Sequence, residues 1–265
     1  MKKSLLIVLA MLATVLLPTA ALGAQDSVRV HLIHGIPDTD VDVAAGGAVV
    51  IPGFSFGDTQ DLSALAGETL EGLQVKAAGT DTVAIDAGDV DLPAEGNFTV
   101  IAHLDADGTP ALAVFENDTS TIEAGNGRLV VRHAAAAPEV DVLANGDVAF
   151  AAVPNGAEGQ ADLPAGTISA SVVPAGETEP VVIGPADLPI AEGESLIVYA
   201  VGSLGDETLT VLTESISGLH GAPATVDTGN SPVQDAPAST LALLIGAALI
   251  GATMLGGATF AARRS

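Results

Sequence analysis

Cysteine is absent from all 265 residues, so neither disulfides nor thiolate chemistry is available and stability has to come from packing. Tryptophan is absent too. One tyrosine and six phenylalanines leave few aromatic platforms on which sugars or bases could stack, and the core must be built from Val, Ile, Leu and Ala. Positive charge is scarce: thirty-three Asp and Glu stand against eight Lys and Arg, for a net charge of −25. Four of those eight, Lys2, Lys3, Arg263 and Arg264, lie at the extreme ends. An acidic body of this kind repels nucleic acid and anionic surfaces, which excludes direct phosphate recognition. Its acids are spread along the chain without forming one block, the pattern of a solvated surface.

What is present is a duplication. Arg29, His34, Val41, Asp42 and Val43 recur without a gap as Arg128, His133, Val140, Asp141 and Val142. The correspondence continues through Gly47 and Gly146, Gly57 and Gly156, and Ala66-Gly67 and Ala165-Gly166. After a short deletion in the second copy, Ala78-Gly79 falls on Ala175-Gly176. The repeats occupy residues 26–121 and 127–217, each large enough for one small domain.

The two ends carry targeting patterns. Lys2-Lys3, an apolar run from Leu5 to Leu17 and small residues up to Ala24 read as a signal peptide over residues 1–24. Residues 218–239, rich in Pro, Gly, Ala, Ser and Thr, read as a flexible stalk. Leu241 to Ala262 is uncharged and is followed at once by Arg263-Arg264, so residues 241–262 are expected as a transmembrane helix with a cytoplasmic tail at 263–265. Ala248, Ala252 and Gly256 form a small-residue stripe on that helix, from which weak helix-mediated self-association is an expectation. The localisation implied is the cell membrane, single-pass, with the body outside.

Within each repeat, short aliphatic runs alternate with turn residues about every ten positions, the pattern of a sandwich. The expected strands are Val28–Ile33, Val41–Ala44, Ala48–Ile51, Thr69–Ala77, Thr82–Ile85, Phe98–Leu104 and Ala111–Phe115 in the first repeat. Leu129–Val131, Val140–Leu143, Val148–Ala152, Thr167–Val173, Pro180–Ile183, Ser195–Val201 and Leu209–Leu212 are their counterparts. The fold class predicted is all-β: two tandem antiparallel β-sandwich (Ig-like) domains plus the C-terminal transmembrane helix.

The string His133-Ala-Ala-Ala-Ala-Pro138-Glu-Val-Asp141-Val-Leu-Ala-Asn145-Gly146, followed by Leu163-Pro164-Ala165-Gly166-Thr167, resembles domain-of-unknown-function family 4397 of exported bacterial proteins. The first copy departs from it at Gly35-Ile36-Pro37-Asp38 and has Leu65-Ala66-Gly67-Glu68 in place of the second string. The resemblance spans about Val28 to Ser217. It implies a β-sandwich, often in tandem, on exported or surface proteins, and supplies no catalytic residues.

Three constellations have residue types that could carry chemistry. Gly53-Phe54-Ser55-Phe56-Gly57 fits the nucleophile-elbow pattern, but that motif needs a strand-to-helix turn, which this chain does not offer. Asp38, Asp40 and Asp42 begin like a calcium loop that lacks its later ligands, and Asp105, Asp107 or the Asp86, Asp89 and Asp91 group are looser alternatives. His34 and His133 are duplicated on otherwise apolar strand faces, but one histidine per domain is too few to hold an ion at ~2.1 Å. Arg29, His34, Asp42, Arg128, His133 and Asp141 are therefore read as repeated structural residues, each histidine bonding its turn or a carboxylate such as Asp42 or Asp141. No catalytic residue, metal or cofactor is assigned. The expected function is non-enzymatic adhesion or partner binding at the cell surface, the partner being an envelope protein or glycan and not a nucleic acid. A solute- or cation-binding module serving a membrane partner is the alternative.

Overall fold

Sixteen strands and no α-helix form in the part of the chain that the computed structural model describes, residues 28–220. The expected signal peptide, the stretch 241–262, the tail and all but the first three residues of the expected stalk lie outside those residues. No helix among the described residues is long and apolar enough to cross a membrane. The transmembrane part of the expected fold is thus unsupported, and the all-β part stands.

In the first repeat, β1 (Arg29–His34), β4 (Thr59–Asp61), β7 (Asn97–Leu104) and β8 (Pro110–Glu116) make an inner sheet in the order β4-β1-β7-β8. β2 (Val41–Ala45), β3 (Ala48–Phe54), β5 (Thr69–Ala77) and β6 (Val83–Asp91) make an outer sheet in the order β3-β2-β5-β6. The second repeat copies this plan. Its inner sheet is β12-β9-β15-β16, built from β9 (Asn126–Ala136), β12 (Glu158–Pro164), β15 (Ser195–Ser203) and β16 (Thr210–Ile216). Its outer sheet is β11-β10-β13-β14, built from β10 (Val140–Ala144), β11 (Asp147–Val153), β13 (Gly166–Pro174) and β14 (Ile183–Ile190).

The sheets are not purely antiparallel as expected. β1 runs parallel to β7, and β9 parallel to β15, because the chain leaves the inner sheet for the outer one and returns beside its first strand in the same direction. Two strands were not expected at all, β4 and β12, since Thr-Gln-Asp and Glu-Gly-Gln-Ala-Asp-Leu-Pro carry little strand propensity. Edge strand β12 is held by its neighbour: Glu158 lies opposite Arg132 and Asp162 opposite Arg128 on β9, and both pairs form ion pairs. The strand expected at 82–85 becomes the longer β6, whereas residues 180–182 form no strand and β14 begins only at Ile183; both strands continue through Asp, Gly or Pro residues.

Alternation within β1 and β9 sets the packing. Val30 and Leu32 join Val100 and Ala102 of β7 in a core facing the first outer sheet, where Val43, Leu73 and Val75 meet them. Leu129 and Val131 do the same in the second repeat, against Val142 and Ile168. The opposite faces of the two inner sheets are also buried. Ile33, Ile101 and Phe115 of the first repeat share one core with Val130, Ala134, Ile197, Tyr199 and Val201 of the second. Parting those faces would expose aliphatic side chains whose burial is worth about 1.5–3 kcal/mol each. The described residues accordingly fall within one compact unit.

The connection between repeats and the start of the expected stalk reinforce this. Ile122 is buried, and its N–H donates to the Leu219 carbonyl at 2.8 Å. Leu219 is buried as well and donates to the Gly193 carbonyl at 2.9 Å. Residues 218–220 therefore belong to the packed body.

Candidate functional site

The duplicated histidines are structural in geometry. His34 and His133 are 0% and 1% exposed. The Nε2 of His34 meets the Thr39 carbonyl at 2.7 Å, and that of His133 meets the Pro138 carbonyl at 2.9 Å. Each Nδ1 lies 3.4 Å from a backbone N–H, of Ile36 and Ala135 respectively. A neutral ring with the proton on Nε2 satisfies both contacts. Burial lowers both pKa values and keeps the rings neutral near pH 7. Each histidine ties down the turn that follows its strand, and it does so through turn carbonyls and not through Asp42 or Asp141.

Those aspartates hold a different feature. Asp42 accepts from the N–H groups of Gly53 at 2.8 Å and Gly79 at 2.9 Å. Asp141 accepts from Ala152 at 2.7 Å and Gly176 at 2.9 Å, the same positions in the second repeat. Gly53 and Ala152 both have positive φ, at an irregularity in the strand pairing. The carboxylate thus fixes a bulge on one side and a turn on the other, and these backbone bonds lower its pKa.

Arg29 and Arg128 match in sequence but differ in role. Arg128 is buried, donates to both carboxylate oxygens of Asp162 at 2.8 and 3.2 Å, and binds the carbonyls of Asp118 and Ser120 in the inter-repeat connection. Arg29 is exposed, and Ser63 stands where the second repeat has Asp162.

The chemical candidates do not assemble. Ser55 sits in the turn between β3 and β4, a strand-to-strand connection in which its N–H donates to Asp58 at 2.9 Å. Asp105 accepts from the N–H groups of Asp107 and Thr109, Asp89 from Gly72, and Asp91 from the Thr69 hydroxyl. These carboxylates are engaged with turns and strands, and among the described residues no three acidic or imidazole groups converge as a metal would need.

Two constellations went unread in the sequence. The first is a polar network inside the joint between repeats. Arg132, 1% exposed, donates from Nε to Glu158 at 2.7 Å, from Nη1 to the Tyr199 hydroxyl at 2.8 Å and from Nη2 to the Asn117 side-chain carbonyl at 2.8 Å. Its guanidinium lies 4.4 Å from the centre of the Phe115 ring. The Tyr199 hydroxyl in turn donates a hydrogen bond to Glu214 at 2.9 Å, and Glu214 also meets Thr99 at 3.1 Å and His31 at 2.7 Å. Burial raises the Tyr199 pKa, which keeps the phenol protonated and able to donate. The network crosses from β1 and β7 to β9, β15 and β16, and no buried side-chain donor or acceptor among the described residues lacks a partner. Arg132 stands where the first repeat has Ile33, the sequence sign of this joint.

The second is a cavity of about 550 Å³ between the two sheets of the first repeat. Leu32, Val100 and Leu112 line it from the inner sheet, and Val43, Leu73 and Val90 from the outer one. Leu62, Leu65 and Leu92 close it from the connections. It reaches solvent, for Val50, Leu65 and Val114 line it while being 56%, 41% and 57% exposed. Among the described residues, Gln60 and Asp61 supply its polar lining, and no Lys, Arg or His takes part in it.

At the corresponding place the second repeat is filled. Phe150 replaces Ile51 and packs against two clusters of the second core, one with Leu129 and Val142 and one with Val140, Val153 and Val172. Gly159 replaces Gln60, and a Cβ there would land on the Phe150 ring, so this glycine is the room the phenylalanine needs. One fold thus occurs twice, once plugged by an aromatic ring and once open.

Residues 28–143 match the model of a family described as a domain of unknown function, DUF4397. This is the family that the repeated string resembles. The match takes in the first repeat and the opening strands β9 and β10 of the second, and the duplication itself rests on the repeated topology. No curated protein matches the chain.

Proposed function

We propose that the protein is a non-enzymatic binding module whose first sandwich takes up an apolar small molecule, acting after export. The observation that carries this is the contrast between the two repeats: an aliphatic cavity of about 550 Å³ where the second copy has Phe150 seated on Gly159. Close packing is the norm for protein interiors, and a void of this size forfeits dispersion contacts along its whole lining. Engineered apolar cavities of roughly 150 Å³ bind small hydrophobes, and ligand pockets run to about 300–1,000 Å³. The sequence of residues 1–24 supports export. Adhesion by the tandem body is the second reading, favoured by the satisfied polar joint that fixes the two sandwiches as one spacer.

Transplanting the plug tests the proposal. The double variant Ile51→Phe with Gln60→Gly rebuilds the second repeat's arrangement in the first. The wild-type chain should gain about 2.7 kcal/mol of stability from an apolar ligand at a hundred times its Kd, and the variant should gain nothing. A stabilisation of equal size in both proteins would move the ligand elsewhere and restore adhesion to first place.

A further inference from the structure

The lining of the first-repeat cavity also carries information about what enters it. A volume of about 550 Å³ admits roughly fifteen to twenty non-hydrogen atoms, taking about 30 Å³ for a water-sized centre. The charge around it is one-sided. Asp61 borders the cavity, no cationic side chain among the described residues does, and the chain as a whole carries −25. A carboxylate or phosphate drawn in there would lose water without gaining a counter-ion. An ammonium group fares little better, because the Oδ1 of Asp61 already accepts from the Ser63 N–H at 2.8 Å. Gln60 is the exception. It is registered opposite Leu32, which faces the cavity, and it is exposed at the edge strand. Its amide nitrogen makes one long bond, 3.3 Å, to the Asp61 carbonyl. The side-chain oxygen and the second N–H remain as an acceptor and a donor beside an otherwise apolar wall.

We infer that the ligand is an uncharged aliphatic molecule bearing one terminal hydroxyl group, its chain in the cavity and its hydroxyl on the Gln60 amide. This rests on the proposed apolar uptake by the first sandwich and adds the selection against charge. A hydroxyl both donates and accepts, which the Gln60 amide complements, whereas the corresponding Gly159 of the second repeat offers no side chain.

Calorimetric titration of the full chain at pH 7.5 with 1-decanol, decanoate, decylammonium and n-octane tests it. The expected result is one-to-one binding of decanol, at least about tenfold tighter than either ion. Gln60→Leu should weaken decanol relative to n-octane by about fivefold, the range of one hydrogen bond. Decanoate or decylammonium binding as tightly as decanol would overturn the inference while leaving apolar uptake standing. An unchanged affinity for decanol relative to n-octane in Gln60→Leu would overturn the role of Gln60. Failure of all four compounds to bind would overturn the uptake reading itself.

Discussion

Burial holds His34, His103 and His133 neutral, each with a pKa below the ordinary 6.5. The sign follows. In the unfolded chain these rings protonate as pH falls through 6.5, whereas in the folded chain they resist, so the unfolded state binds more protons and stability declines. The stabilisation is complete above pH 6.5 and is lost on acidification below it, with a slope of at most about 1.4 kcal/mol per pH unit for each ring. Urea unfolding between pH 7.5 and 5.5 should show that decline. Replacing His133 by Ala should cost about 1–3 kcal/mol by releasing the Pro138 carbonyl and the turn behind it, and should flatten the slope. The structural role of the histidines was legible from their duplication, and of the two partners expected, the turn or a carboxylate, it is the turn that each ring bonds; which carbonyl of the turn leaves no mark in residue type. The aspartates were legible as a pair and opaque in purpose, since a bulge is a property of strand register and not of composition.

At the scale of elements, the apolar strands could be read because Val30 and Leu32 alternate with polar residues along β1, and because Leu196 to Val201 form an unbroken apolar run along β15, which is buried on both faces. Edge strands β4 and β12 could not, because their stability comes from partners. Glu158 and Asp162 of β12 face Arg132 and Arg128 across the ladder, and nothing within the strand itself announces that pairing. The plug was present in the alignment of the repeats as two exchanges, Ile51 for Phe150 and Gln60 for Gly159, yet each looks neutral until the ring and the glycine are seen in contact. Phe150→Ala should open a cavity in the second repeat at a cost of about 3 kcal/mol, measurable by chemical denaturation. Ile51→Phe with Gln60→Gly should raise the unfolding midpoint of the ligand-free protein, since it fills space in the first core.

For the whole molecule, the acidic balance and the tandem plan were visible in the sequence, and the fusion of the tandem was not. A repeat invites the expectation of two independent domains; the core that Ile33 and Ile101 share with Ile197 and Tyr199 makes the body one packed unit. Thermal unfolding should accordingly be a single transition. Arg132→Ala leaves Asn117, Tyr199 and Glu158 without their common donor and should cost about 3 kcal/mol in that one transition, whereas Arg132→Met, an apolar replacement of similar length, should cost less. Two transitions, with only the second repeat affected by Arg132→Ala, would show that the joint does not couple the sandwiches.

The most direct test of the central claim, that one sandwich is open to a ligand while its twin is closed, is a methyl-resolved NMR titration of the full chain with 1-decanol. Saturable shifts are expected at Leu73, Val100 and Leu112, which line the first cavity, and none at Leu129, Val142 and Val198, which pack in the second core. Shifts of equal size in both sets, or none in the first, would contradict that claim.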